Sequence, residues 1–558
     1  MNKTHRITLL VIFIAVFISS CDGPPPPRPK PKPKEIVKIP EEMDPTVQKQ
    51  ISGLIGEALL NNGKIDDSIK LSQPAIVSAL YDDREGQRLW SKDKVWLERA
   101  DTMLTFIRNC EFLGLFPLEY HSRELESIFN KLQDSAAKMD AALWARGELM
   151  LTDAFSNMAR HIKLGRIPPD SISQRKDTLM DAAYFISFRD SLTDQKNPRE
   201  LLMKLEPVNE RYRILRESLP AFLDSMDRRE YTFIVFPKLD TVSFVQQLQS
   251  RLYEGNYISF NDRTADSVEM SLAVKKAQTS RGLKVDGKAG PAVVASLNNT
   301  GMEKFRRIAI NLDRYKQLPD SLPVSYIWVN LPSFKMQVWD SGKVKLESKT
   351  IIGLPKTRTP VLTSAVSNMV TYPQWTVPYS IIFKEMLPKI QKDVSYLDEQ
   401  NLMVVDYNDS VIDPTTIDWS KLSKKKFPYL IRQRQGDDNS LGVMKFNFSN
   451  KYEVYMHDTN ARGLFGRSNR ALSHGCVRIQ KWDSLSIYLI TKDPPPVPLD
   501  SMNAWLNRQE KHYIYLKQKV PVYLRYYTCE VNENGTIKFY DDIYGDDNTL
   551  RMKYFAVK

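Results

Sequence analysis

Cysteine is scarce in this sequence: Cys21, Cys110, Cys476 and Cys529 are the only four in 558 residues. No two of them stand at metal-binding or redox spacing, so no disulfide framework, metal site or cofactor is expected. Long apolar runs are missing too. The stretch Ile7 to Ile18 falls short of the roughly 20 residues that cross a bilayer as a helix, so it reads as a signal peptide. Charge is not balanced: 79 Lys and Arg face 67 Asp and Glu, a net +12. A basic chain can attract nucleic acid, but an export signal argues against that partner and for an anionic wall or membrane surface.

That signal is the chain's first segment. Lys3 and Arg6 precede the apolar run, the layout of a signal peptide over residues 1–20. Its end, Ile18-Ser19-Ser20-Cys21, resembles the lipobox of bacterial lipoproteins, which implies acylation of Cys21 and a membrane lipid anchor. A transmembrane anchor or a simple cleaved signal is the alternative to a lipoprotein signal. Residues 21–46 then hold the run PPPPRPKPKPK, which extends as a semi-rigid polyproline spacer. The expected location is the cell envelope, as a periplasm-facing membrane lipoprotein.

Residues 47–235 read as amphipathic helices, with apolar positions three and four apart in Trp96 to Cys110 and Ala141 to Leu164. Gly114 with Pro117, and Gly165 with Pro168, end them. This predicts a helical scaffold domain in which His121 and His161 pack or cap. Residues 236–300 predict a compact three-helix module ending in GLKVDGKAGP, where Asp286-Gly287 is a turn dipeptide and Gly290-Pro291 restarts a helix. The coupled GL, DG and GP resemble the type-one peptidoglycan-binding domain. The resemblance implies that Asp286, Gly287 and Gly290 mark a glycan-binding module, with Ala277 where that family usually has a bulky aromatic; a module that only packs against its neighbours is the alternative.

After a connecting helix in residues 301–322 the periodicity changes. From Tyr326 the chain alternates as strands do, with Asp340-Ser341-Gly342 as a hairpin turn. Residues 323–500 are expected to form a mainly β catalytic domain, interrupted at about 377–435 by a helical, lysine-rich insertion read as a lid. Residues 501–558 are expected to be a β-rich extension packed on that domain. The fold class is thus multidomain α+β.

The chemistry concentrates in YEVYMHDTNARGLFGRSNRALSHGCVRIQ, from Tyr452 to Gln480. A strand delivers His457, a polar loop follows, and Ser473-His474-Gly475 leads to Cys476. A free thiol, with a pKa of about 8.5, is only slightly ionised at neutral pH, so it needs a base. A nearby imidazole takes the proton, holds the thiolate as an ion pair and returns the proton to a leaving amine. Gly475 tolerates backbone conformations that turn amides toward an oxyanion, and the Tyr455 hydroxyl, on the strand face of His457, is a further donor.

This block resembles the active-site motif of the L,D-transpeptidases with YkuD-type catalytic domains, and the whole chain, with its DDIYG end at Asp541 to Gly545, is similar to their large YcbB-like branch. The resemblance implies Cys476 as nucleophile, His457 as base and His474 as a supporting residue. It implies attack on the third residue of a tetrapeptide stem, release of D-alanine, and aminolysis of the thioester to a 3-3 cross-link. Ser473, Arg478 and Arg470 are the candidate substrate contacts, the arginines through their planar forks. The implied partners are peptidoglycan stem peptides and glycan, with other cell-wall enzymes beside them. Hydrolysis of the thioester, as in an L,D-carboxypeptidase, and a non-catalytic tether to the wall are the rival readings.

Overall fold

The structure is a computed structural model that describes residues 34–82, 88–170, 172–175, 179–194, 197–236, 240–492 and 497–555. Cys21 and the signal segment lie outside the described residues.

The N-terminal helices pack around one long helix, Ala141–Lys163, which is buried on nearly every side. Asp140 caps it by accepting from the Ala142 amide, a contact of the kind that adds about 1 kcal/mol. Its interior acids are each given donors, as buried charge requires. Glu148 accepts from the amides of Leu89 and Trp90 and the Ser91 hydroxyl. Asp153 accepts from the Ser72 amide and lies 2.9 Å from His121 Nε2. His161 Nδ1 meets the Tyr120 hydroxyl at 2.8 Å. Both histidines hold the helical core together.

A second, separate core belongs to three helices, Thr241–Glu254, Ser267–Ser280 and Pro291–Asn298. A capping box of Asp266 and Glu269 starts the middle one. Ala277 is buried in this core. The Asp286-Gly287 turn is fastened to Gln278, whose Oε1 accepts from both amides and whose Nε2 donates to Asp286. Gly287 has φ +72, and a Cβ there would lie 2.3 Å from Ser271 Oγ, so only glycine fits. Gly290 is the N-cap before Pro291. All three residues shape the turn.

Nine strands form the main sheet: β1 (Ser325–Asn330), β2 (Lys335–Asp340), β3 (Lys343–Gly353), β4 (Leu362–Thr371), β5 (Met444–Phe448), β6 (Met456–His457), β7 (Ala471–Ser473), β8 (Val477–Ile479) and β9 (His512–Arg525). Ser341 and Gly342, both at positive φ, make the β2–β3 hairpin turn. The order is β7-β3-β8-β6-β5-β4-β9-β1-β2, and β2 also pairs with β3, so the ring of pairings closes on itself. Ile327, Val329, Met336, Val366, Met456, Val477 and Ile514 fill its interior.

Two expectations need correction. Residues 501–558 are not an extension laid on a finished domain, because β9 inserts between β4 and β1 and bonds to both. The insertion is not purely helical either. The strands Trp375–Thr376, Leu402–Val405, Val411–Ile412 and Leu430–Gln433 form a four-stranded antiparallel sheet over its own core of Ile382, Ile390, Val404 and Ile431. Its helical run, Tyr379 to Lys392, widens to a π-turn over Ile382–Met386. Pro388 explains this, since its ring lacks an N–H and crowds the carbonyl one turn back.

Candidate active site

β6 and β8 run parallel, with Met456 beside Val477 and His457 beside Arg478. The Val477 amide donates to the Tyr455 carbonyl, which extends the register to Tyr455 and Cys476. Side chains alternate across a sheet. Met456, Val477 and Ile479 therefore fill the core, while Tyr455, His457, Cys476 and Arg478 project from the opposite face. Lys445, opposite His457 on β5, joins them.

Cys476 is partly exposed and unpaired. Its sulfur accepts from the backbone amide and the hydroxyl of Tyr455, with Lys445 and Arg478 as nearby positive charges. Burial nevertheless dominates and pushes the thiol pKa up. Burial also pushes the Tyr455 phenol far up, so it stays a proton donor, and its oxygen in turn accepts from the Trp375 indole. Lys445 Nζ lies 4.0 Å from the Tyr455 ring centroid.

His457 is buried, with its ring 5.6 Å from that of Tyr455. Its Nδ1 has no hydrogen-bond partner. Burial first, then the charges of Arg478 and Lys445, pull its pKa down to about 3, against the opposing pull of the Asp458 and Leu441 carbonyls. The resting pair is therefore neutral thiol and neutral imidazole. Burial first, and the nearby Arg478 and Lys445 charges after it, work against the expected thiolate–imidazolium pair.

The cysteine loop is shaped by its own hydroxyls. Ser473, expected to touch substrate, is instead buried; its Oγ donates to the Cys476 carbonyl at 2.7 Å and accepts from the Gly475 amide at 3.1 Å. Gly475, at φ +124, is pinned at its carbonyl by Thr359 Oγ1 at 2.7 Å. Its amide is thus committed to Ser473 and does not face the sulfur's side as a free donor. Behind Thr359, the Tyr544 hydroxyl donates to the Gly353 carbonyl and accepts from the Thr359 amide.

The remaining candidates divide. Arg478 has a buried Nε without a partner and a 3.4 Å contact from Nη1 to Thr459, so among the described residues no carboxylate occupies its fork. Arg470 is not, because it donates to the carbonyls of Thr350, Arg467 and Phe334 and stacks on the Phe334 ring. It clamps β7 to β3. His474 leans away to Glu385 of the insertion, Nε2 to Oε1 at 2.8 Å, with both side chains exposed. Sequence reasoning missed Lys445, Trp375, Thr359 and Glu385. Lys445 alone had a local signal, its alternation along a strand flanking the motif.

The site thus offers a partly exposed thiol, a neutral imidazole on the same face, a phenolic donor at the sulfur and an open guanidinium, which suits nucleophilic acyl transfer. Family comparisons agree with that class. Residues 324–499 match YkuD, the L,D-transpeptidase catalytic domain; residues 75–219 match the Scaffold domain; and residues 241–297 match the "Putative peptidoglycan binding domain".

Among individual proteins, the chain is 38% identical over 247 residues to a "Putative L,D-transpeptidase" of Haemophilus influenzae. The match covers 44% of this chain and 49% of that one, so the chain spans about half the length of the curated relative it matches. Two solved structures are also similar. The Ldtfm-avibactam carbamoyl enzyme is 14% identical, with 38% of this chain and 51% of that one covered and a TM-score of 0.16. The L,D-transpeptidase (Yku) from Stackebrandtia nassauensis is 15% identical, with 55% and 100% covered and a TM-score of 0.17. At such scores neither carries an argument about this chain.

Proposed function

We propose that this chain is a peptidoglycan L,D-transpeptidase of the large YcbB-like branch, held in the bacterial envelope through a lipidated Cys21 and facing the periplasm. The observation that carries the reading is the shared sheet face of Tyr455, His457, Cys476 and Arg478, with the sulfur held by the Tyr455 hydroxyl.

In this reading Cys476 Sγ attacks the carbonyl carbon of the third residue of a tetrapeptide stem. The thiol proton passes to His457 as the C–S bond forms, and the oxyanion is met by the Tyr455 hydroxyl and the Cys476 amide. Collapse breaks the amide C–N bond, and His457 returns the proton to the departing D-alanine amine. The side-chain amine of a second stem then attacks the thioester; its C–N bond forms, the C–S bond breaks, and the sulfur regains a proton. Arg478 holds a stem carboxylate.

Incubating the full chain with disaccharide tetrapeptides and following products by mass spectrometry tests this. Dimers joined 3-3 with release of D-alanine are expected, and their loss in Cys476→Ala. Tripeptides alone would establish the carboxypeptidase instead, and no turnover with intact wall binding would establish a tether. Intact-protein mass after carbapenem exposure gives a second readout, one adduct on Cys476 that the Cys476→Ala variant lacks.

A further inference from the structure

Three neighbouring strands, β8, β6 and β5, carry one row of side chains on the face that bears Cys476. Arg478 on β8 stands beside His457 on β6, and His457 stands opposite Lys445 on β5. Adjacent strands lie about 4.8 Å apart, so a cation flanks the imidazole on each side at one strand spacing. Cys476 is on β8, two residues before Arg478 and therefore on the same face. The strand of Lys445 is thus separated from the strand of the sulfur by the strand of the histidine.

Nothing else in the fold accounts for a cation at Lys445. The residue is half-buried, and Nζ leans along the strand to lie 4.0 Å from the Tyr455 ring centroid. None of the groups that act on its charge is a carboxylate: burial holds its pKa below the ordinary lysine range, Lys511 adds to that, and only Cys476 opposes it. The buried Lys316, by contrast, is paired with Asp313 at 2.9 Å. Charge taken out of water is ordinarily paired. A cation left unpaired beside a partly exposed thiol therefore marks a place where the ligand brings the anion.

On the transpeptidase reading, the two groups that serve the reaction set the direction of the reacting chain across the sheet. The acyl carbon bonds to the sulfur over β8, and the leaving nitrogen takes its proton from His457 over β6. The line from one to the other crosses the strands, and its continuation passes over β5. In a departing D-alanine the carboxylate oxygens lie only about 3 Å from that nitrogen, and Lys445 is the cation on that side. The acyl half of the stem, with its own carboxylates, stays on the β8 side with Arg478. One added residue would carry the terminal carboxylate about 3.8 Å further, out of this register.

We propose that Lys445 binds the terminal carboxylate of the acyl-donor stem, so that the site selects stems ending in a free carboxylate one residue beyond the bond that is broken. The proposal rests on the transpeptidase reading for the identity of the leaving residue. The anion site at Lys445 does not depend on it.

The test gives the full chain two tetrapeptide stems that differ only at the end, one in D-alanine and one in D-alaninamide, and follows the released amine by mass spectrometry at low substrate concentration. The wild type should favour the free acid at least about thirty-fold, the scale of a charged group left without its partner. Lys445→Gln should nearly equalise the two rates, and Lys445→Arg should recover most of the preference. Arg478→Gln should slow both stems while the preference stays. Equal rates in the wild type, a preference that survives Lys445→Gln, or one that is lost only in Arg478→Gln would each overturn the proposal. Iodoacetate and iodoacetamide repeat the comparison without turnover: the ratio of their alkylation rates at Cys476, read by peptide mapping, should fall about three-fold or more in Lys445→Gln. An unchanged ratio would overturn the anion site. No release from either stem while that ratio falls would sink the transpeptidase reading and leave the anion site standing; release from both stems at equal rates would do the reverse.

Discussion

At the scale of single residues the site depends on one hydroxyl. Tyr455→Phe removes a donor that holds the sulfur and, in the proposed mechanism, faces the oxyanion, so acylation by a carbapenem should slow about ten- to a hundred-fold, the cost of a charge-assisted hydrogen bond. Stopped-flow measurement of adduct formation checks this. Because burial raises the Cys476 pKa, alkylation by iodoacetamide should still be rising well above pH 8, and Tyr455→Phe should move that rise further up. His457 adds a dependence on acid. Its folded pKa of about 3 lies below the ordinary value of about 6.5, so between those values the unfolded chain binds a proton that the native state refuses. The stability it contributes is complete above about pH 6.5 and is lost as pH falls toward 3. Urea midpoints at pH 7 and pH 4.5 should differ more in the wild type than in His457→Gln. Cys476 and His457 could be singled out in the sequence because the proposed nucleophile and its proposed base sit within one short motif. Ser473 and Arg470 were misread because their partners, the Cys476, Thr350 and Phe334 carbonyls, are chosen by folding.

Elements were legible where one period ran unbroken. The helix Ser267–Ser280 stops just before Gly282, where the GLKVDGKAGP segment begins, and the Asp340-Ser341-Gly342 turn follows from its residues. The insertion was half legible: its helix announced itself, while its strands are too short to show alternation. How it meets the catalytic loop was invisible, since Trp375 lies in a two-residue strand before the helical run and Glu385 in the π-turn at its middle. The exposed pair of Glu385 and His474 should contribute less than about 1 kcal/mol to global stability. Glu385→Ala should therefore leave the urea midpoint nearly unchanged, yet speed amide exchange across residues 379–392. Unaltered exchange there would show that the pair does not restrain the insertion.

For the whole molecule, the domain boundary at residue 500 suggested by composition is a seam through the middle of a sheet. A fragment of residues 323–500 lacks β9, so the edges of β1 and β4 stand bare, and exposed edges recruit other chains. It should be recovered largely as aggregate, whereas residues 301–555 should stay soluble; size-exclusion chromatography distinguishes them. Sequence could not show this, because strand neighbours in space carry no mark of their order along the chain.

The brace from Tyr544 through Gly353 and Thr359 to Gly475 adds a matter of timing. Ribosomes deliver the nucleophile some seventy residues before its buttress, so for that interval the thiol rides on a loop without its final curvature. On the transpeptidase reading, acyl-transfer competence is conferred last, by the tail, and a chain cut short in synthesis is expected to carry every proposed catalytic side chain and still be inert.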